Sequence, residues 1–256
     1  MQNDLAIIYR DEHLIAINKP SGLLVHRSDI DRHETRFAVQ LLRDQIGQSV
    51  FPVHRLDKPT SGVLLFALHS ECARRLGEIF TTHQLTKTYI ALVRGAAPNS
   101  MHIDYALTEE LDKISDKKAQ QDKPAQTAKT DIKTLAHIEL PVAIDKYPTS
   151  RYSLVECQPH TGRKHQIRRH LKHINHPIIG DAKHGKGRHN RFFQETYNCH
   201  RLMLASTELA FQHPYTQQSL RLIAPLDDSF QRILNTFSWS HCIPPTWLPN
   251  ELLETP

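Results

Sequence analysis

Three short stretches of this sequence hold side chains able to act on a substrate. The first is His54-Arg-Leu-Asp-Lys-Pro-Thr-Ser-Gly62, which leads into the apolar run Val63–Leu68. Its carboxylate, Asp57, sits in a turn-rich loop beside a strand, and a rigid strand can hold such a loop still at a cleft. Arg55 and Lys58 flank Asp57, and cations so close favour the ionised acid at neutral pH. Asp57 is therefore the candidate nucleophile or base. By spacing alone the same residues also make an ordinary surface turn. The second stretch is Lys87-Thr-Tyr-Ile-Ala-Leu-Val-Arg-Gly95. Tyr89, at the start of a strand, can stack on a base and pass a proton through its hydroxyl. It can equally be a sheet tyrosine packed on the core. The third is Thr161-Gly-Arg-Lys-His-Gln-Ile-Arg-Arg-His-Leu171. On a helix, Lys164, Arg168 and Lys172 line up beside the apolar stripe of Ile167 and Leu171. Arg168 then reaches a buried carboxylate from the edge of the core, a task suited to a permanently charged, two-pronged guanidinium. Phosphate binding or plain solvation are the other uses of that face.

The elements that must position these groups follow from the pattern. Ala6–Tyr9 and His13–Ile17 read as strands broken by Pro20-Ser-Gly. Thr35 is expected to cap a helix that runs to Ile46 and stops at Gly47. Gly62–Leu68 reads as a buried strand, Ser70 as the cap of a helix to Phe80, and Thr88–Val93 as another strand. Strands follow near Ile132–Glu139 and Tyr152–Cys157. Thr161 is expected to cap a helix from Arg163 to Ile174. Leu202–Phe211 and Leu220–Ile223 form a hairpin, and Asp227 caps the last helix. Mixed strands and helices without regular alternation predict an α+β fold with a largely antiparallel sheet. The expected organisation is one catalytic domain over residues 1–240, with a polar insertion at about 109–130. A proline-rich tail, 241–256, is expected to drape over the surface.

Composition narrows the function classes. The chain has 256 residues, 39% hydrophobic and 23% charged, ordinary for a soluble globular protein. The longest apolar run is far too short to cross a bilayer, and the N-terminus does not read as a signal peptide. Four scattered cysteines fit reduced thiols, which points to the cytoplasm. Net charge is +5, but Arg163–Arg191 holds nine Lys/Arg and one acid, Asp181. Such concentration is the footprint of phosphate binding. Arg163, Lys164, His165, Lys183, Lys186 and Arg188 are the candidate nucleic-acid contacts there, with Lys58 beside Asp57, unless the face is merely solvated. The histidines do not suggest a metal. His165 and His170 are five apart and point away from each other on a helix; His170, His173 and His176, three apart, could chelate, but His176 precedes Pro177 outside the helix, and the surrounding positive charge disfavours a cation.

Taken together, the three stretches and Asn18-Lys-Pro-Ser-Gly-Leu-Leu-Val-His26 resemble the ordered motifs of RluA-type pseudouridine synthases. The resemblance runs from Leu5 to Phe237. Finer features resemble a tRNA-modifying branch of the family: Leu24-Val-His-Arg-Ser28, Arg43-Asp-Gln-Ile-Gly-Gln48, Glu109-Glu-Leu-Asp-Lys-Ile114, Tyr147-Pro-Thr149 and Ile179-Gly-Asp-Ala-Lys-His-Gly185. It implies a tRNA substrate with uridine 65 as target, no cofactor, a monomer, and a mixed sheet split by a central RNA-binding cleft. It also implies that Asp57 is the essential acid, that Arg55 fills the gap left by a flipped base, and that Leu204 and Ile167 line the pocket. The family's Leu-His-Ala pattern is broken here, because Leu204 is followed by Ala205 and Ser206. Three rivals stand beside this reading: the same chemistry on ribosomal RNA, a non-catalytic RNA-binding protein, and a histidine-dependent metal nuclease.

Overall fold

The computed structural model describes residues 4–27, 34–110 and 124–249. The order of elements is β1 (Ala6–Arg10), β2 (Leu14–Lys19), α1 (Ala38–Ile46), β3 (Phe51–Pro52), β4 (Ser61–Ala67), α2 (Ser70–Thr81), β5 (Leu85–Arg94), β6 (Ser100–Asp104), β7 (Lys129–Leu140), β8 (Ser150–Pro159), α3 (Gln166–His173), α4 (Gly187–Tyr197), β9 (Leu204–Gln212), β10 (Ser219–Ile223) and α5 (Asp228–Thr236). Two short 3-10 turns follow, at Ser240–Cys242 and Pro245–Trp247.

One sheet runs through the molecule in the order β1-β2-β4-β9-β5-β8-β7-β6, with β10 beside β9 and β3 beside β4. The β4–β9 pairing is parallel; every other pairing between these strands is antiparallel. The mixed, largely antiparallel sheet expected from the sequence is therefore present. β4 is Ser-Gly-Val-Leu-Leu-Phe-Ala and is buried along its whole length. Its alternate side chains feed two different cores, as a period of two requires. Leu64 and Phe66 pack with Ala38 and Leu42 of α1. Val63, Leu65 and Ala67 pack with Cys72 and Leu76 of α2. The largest core lies beyond the β4–β9 seam and joins β5, β8, α3, α4 and α5. That seam is narrow, with only Ser61↔Ala205 and Gly62↔Ser206 in register. The Asp57 loop enters β4 at this point.

Several helix starts differ from expectation. α1 begins after Phe37, so Thr35 lies outside it, while Gly47 at φ 67 ends it as expected. α2 is capped by the His69 ring, which accepts from Cys72 N, rather than by Ser70. α3 begins only at Gln166, preceded by His165 in the left-handed region. Thr161 does not cap it, because its hydroxyl is occupied by Gln166 Oε1 at 2.6 Å and by Lys129 N at 3.1 Å. Lys164 thus leaves the helical line of Arg168 and Lys172. α4 was not expected from the pattern; its buried residues are His189 and Phe193, and a histidine in an apolar position hides the stripe. Asp227 caps α5 as expected, accepting from Phe230 N. The stretch 241–249 is not merely draped over the surface but anchored in it at two points. Trp247 is 1% exposed and Ile243 is buried in the largest core. Trp247 Nε1 donates to Glu208 Oε1 at 2.6 Å, and its carbonyl accepts from Leu226 N. The large apolar side chains between the prolines supply the burial that the proline content obscures. Of the polar insertion, 111–123 and the motif portion Leu111–Ile114 lie outside the described residues; its flanks are tied by paired bonds between Leu107 and Gln126.

Candidate active site

The Asp57 loop is fastened mainly through its backbone. Thr60 N donates to the Asp57 carbonyl at 3.0 Å, closing a turn around Lys58-Pro59. Gly22 N donates to the Lys58 carbonyl and Ser21 Oγ to the Pro59 carbonyl, each at 2.8 Å. Lys19 is fully buried, and its ammonium reaches the carbonyls of Pro20, Leu23 and Lys58 at 2.9, 2.7 and 3.1 Å. Burial and the nearby Arg201 charge push its pKa down to about 7, against the pull of Asp57. On the other side, Leu56 is anchored in the α1 core. Gly62 has φ +111, and a Cβ there would come 2.0 Å from the Ser206 carbonyl oxygen. Only glycine permits that approach.

Arg168 links this loop to a second one. Its Nη1 donates to Asp57 Oδ2 at 2.9 Å. Its Nε and Nη2 grip both oxygens of Asp181 at 2.7 and 2.9 Å. Asp181 Oδ1 also accepts from the backbone of Lys183 and His184. Burial opposes charge on Arg168, but the Asp181 hydrogen bond and the two carboxylate charges outweigh it and hold its pKa above the ordinary arginine value. Burial likewise opposes charge on Asp181, but the Arg168 bond and charge hold it below the usual carboxylate range. The side chain of Arg168 is 7% exposed, that of Asp181 0%, and that of Asp57 20%. Asp57 is thus the open member of the trio.

Tyr89 packs against two of the hydrophobic cores, at their junction. Its cross-strand partner in β9 is Ser206. Burial pushes the Tyr89 hydroxyl up to about 12; a hydrogen bond with Ser206 opposes the rise and the Asp57 charge adds to it. Ile167 and Leu204 are both buried in the largest core. An aromatic, an open carboxylate and a buried guanidinium therefore meet at the sheet seam.

Residues 13–173 match the RNA pseudouridylate synthase family. This chain belongs to that family. It is 56% identical over 239 residues to tRNA pseudouridine synthase C of Vibrio cholerae, covering 93% of this chain and 98% of that protein. It is 54% identical to the protein of the same name from Pasteurella multocida, covering 92% and 97%. Among solved structures, human RNA pseudouridylate synthase domain containing 4 superposes with a TM-score of 0.69 at 25% identity, covering 91% of this chain and 93% of that one. Human RNA pseudouridylate synthase domain containing 1 superposes at 0.68 over 100% and 97%. At 24% identity that second likeness speaks to the fold.

The pseudouridine synthase fold sorts the remaining sequence candidates. Arg55 is exposed, two residues before Asp57. Lys58 Nζ binds Glu34 Oε1 at 2.9 Å. His165 Nε2 lies 3.8 Å from Asp57 Oδ2. Burial pushes the His165 ring down to about 4, with Asp57 opposing. Lys164 Nζ donates to the Glu110 carbonyl at 3.0 Å, and Lys183 Nζ meets Glu110 Oε2 at 2.5 Å. His165 thus lies beside Asp57, and Lys164 and Lys183 join it through Glu110. Arg163 instead donates to the Thr127 carbonyl, flanking the insertion. Lys186 precedes α4 without a side-chain cap bond, and Arg188 faces Asp145 at 3.8 Å, alongside Arg94 and His189. None of their described contacts leads to Asp57. His54 of the Asp57 motif is structural: its Nε2 accepts from Leu65 N at 2.9 Å, and burial pushes its pKa down to about 3. Asp181, Glu110 and Lys19 join the site without a role that the sequence pattern predicts. Asp181 had a signal, as the lone acid in a strongly basic stretch.

Proposed function

We propose that this pseudouridine synthase converts a uridine of tRNA, uridine 65, to pseudouridine, with Asp57 as the reactive carboxylate and without a cofactor. The observation that carries the reading is the asymmetry around Arg168: a guanidinium locked by Asp181 offers its last edge to an acid that remains open to solvent. The tRNA substrate rests on the names of relatives that match over most of the chain; the position rests on the sequence motifs. The protein is proposed to act as a monomer in the cytoplasm, and no described helix is long and apolar enough to cross a membrane.

The isomerisation breaks the bond from C1′ to N1 of uracil and forms one from C1′ to C5. The proton on C5 leaves, and N1 gains one. No electrons are exchanged with a second reactant, so side chains suffice. The target base must leave its stack, which costs roughly a few kcal/mol. Arg55, exposed beside the site, fills the vacated space, and Tyr89 holds the flipped uracil by stacking, worth roughly 1–3 kcal/mol. Asp57 then acts as an anion, as nucleophile on sugar or ring or as base toward the 2′ hydrogen. Arg168 holds it in place through the 2.9 Å bond from Nη1. Tyr89 is the acceptor of the C5 proton. At about 12 its hydroxyl is protonated at neutral pH, so it must hand its own proton on, with Ser206 and Asp57 as the neighbours.

The test is tritium release from C5-labelled uridine in an unmodified tRNA transcript and in a ribosomal RNA fragment. Each is treated with wild type and Asp57→Ala. Release from tRNA by wild type alone is the expected result. Release only from the ribosomal fragment would move the target, and release by Asp57→Ala would remove the assigned acid.

A further inference from the structure

Beside Asp57 lies a group of side chains to which the bond-making steps above assign no part. Glu110 closes the described segment after β6, His165 sits in the turn before α3, and His184 lies in the loop between α3 and α4. His165 Nδ1 and His184 Nε2 are 3.1 Å apart, and Glu110 Oε2 is 3.8 Å from the first and 3.9 Å from the second. The point equidistant from three atoms so spaced lies about 2.1 Å from each, the length of zinc bonds to imidazole nitrogen and carboxylate oxygen, but in the plane of the three, so a tetrahedral ion draws the Glu110 oxygen in by a few tenths of an ångström.

We propose that Glu110, His165 and His184 bind a divalent transition-metal ion of the zinc class, and that the bound ion closes the approach to Asp57. Two imidazoles and one carboxylate are a recurrent zinc set and leave one tetrahedral position for water. Each ligand is held in place from behind. The other ring nitrogen of His165 faces the Asp57 carboxylate at 3.8 Å, and a metal-bound histidine commonly turns its second nitrogen to such a group. His184 is buried, and its backbone N donates to Asp181 at 2.9 Å. The Glu110 main chain is fixed by Lys164, and its other oxygen lies 3.5 Å from Arg169. The competitor is Lys183, whose ammonium sits on the same Glu110 oxygen. The ion must displace it, which places the affinity below that of a dedicated zinc site. Helical spacing could not show this cluster, because its ligands come from three separate segments. The site is inhibitory rather than catalytic: the ion would sit on His165, whose ring lies 3.8 Å from Asp57, and so crowd the approach to that acid. That consequence rests on Asp57 being the reactive group; the metal site itself does not.

The experiment is titration of Co2+ into the metal-free full chain, followed by visible absorption. Expected is a single equivalent with the intense bands of four-coordinate Co2+, displaced by Zn2+. Glu110→Gln and His184→Gln should each weaken binding by about tenfold or more. Lys183→Met should tighten it by about two- to fivefold, the worth of an exposed ion pair. His102→Gln should change nothing, although His102, Asp131 and His160 form another histidine–carboxylate group on the far edge of the sheet. Circular dichroism checks the fold of the buried His184 variant, and the more exposed Glu110 variant decides if that one unfolds. Absence of the four-coordinate bands, their survival in Glu110→Gln, or their loss in His102→Gln would overturn the site. Zn2+ should slow tritium release by wild type and not by Glu110→Gln; equal slowing of both would overturn the inhibitory role. Asp57→Ala should still bind Co2+, so a failure of the catalytic assignment and a failure of the metal site give different results.

Discussion

The loops carrying Asp181 and Asp57 hold the same guanidinium in opposite ways. Asp181 uses both oxygens on Arg168, accepts two backbone N–H groups as well, and is sealed from solvent. Asp57 accepts one Arg168 bond through one oxygen and is partly open. The difference is a division of labour. A carboxylate whose lone pairs are filled is inert, and its charge only fixes the cation. A carboxylate with free capacity, aimed by that cation, can react. Buried ion pairs gain little net stability, but breaking one is costly because it strands a charge.

The comparison can be broken or sharpened by substitution. The largest effect belongs to Asp57→Ala, which should lower tritium release by at least roughly 10^4 while gel-shift binding of tRNA persists. Turnover surviving in that variant would put the reactive acid elsewhere. Next comes Asp181→Asn, which leaves Arg168 half-paired and should cost about 3–5 kcal/mol in denaturant unfolding, with turnover falling too. Asp57→Asn, by contrast, should keep unfolding within about 1 kcal/mol of wild type. Equal destabilisation by both would erase the distinction between the loops. Tyr89→Phe keeps the stacking ring and should slow product formation by roughly 10^2 with little change in RNA affinity. An unchanged rate would leave Tyr89 as a stacking platform alone. The smallest effect is on acid stability. His54 and His165 titrate at about 3 and about 4 when folded, below the ordinary histidine value near 6.5. The unfolded chain therefore takes up these protons first, so stability is full above pH 6.5 and falls as pH drops toward 4. Thermal melts between pH 6.5 and 5.5 should register a loss of about 1 kcal/mol for each ring. Asp181, also lowered, adds its loss only in stronger acid.

What the sequence shows of this arrangement depends on how local each signal is. The Asp57 loop was legible because its turn residues and the apolar run of β4 are contiguous. Arg168 was legible as a cation able to reach a carboxylate, since Ile167 and Leu171 fix its helix face. Its principal partner was not, because Asp181 reaches it through the fold from thirteen residues on, past the end of the helix. The Thr161 cap failed for a similar reason: its hydroxyl had a better partner in β7, which local propensity does not register. In the 241–249 stretch, prolines pointed to an exposed tail, while Trp247 found a buried acceptor on β9. Spacing also could not separate Lys183, which reaches the site through Glu110, from Arg188, which faces Asp145.

The contact of Gly62 with the Ser206 carbonyl has a consequence for how this protein can vary. Two halves of the sheet meet there main chain against main chain, five residues from Asp57. The spacing between them is set by peptide dimensions rather than by the volume of any side chain. Core residues on either side can drift in size and repack without transmitting the change across the seam. Related chains should therefore tolerate broad substitution in each half and almost none at this one position.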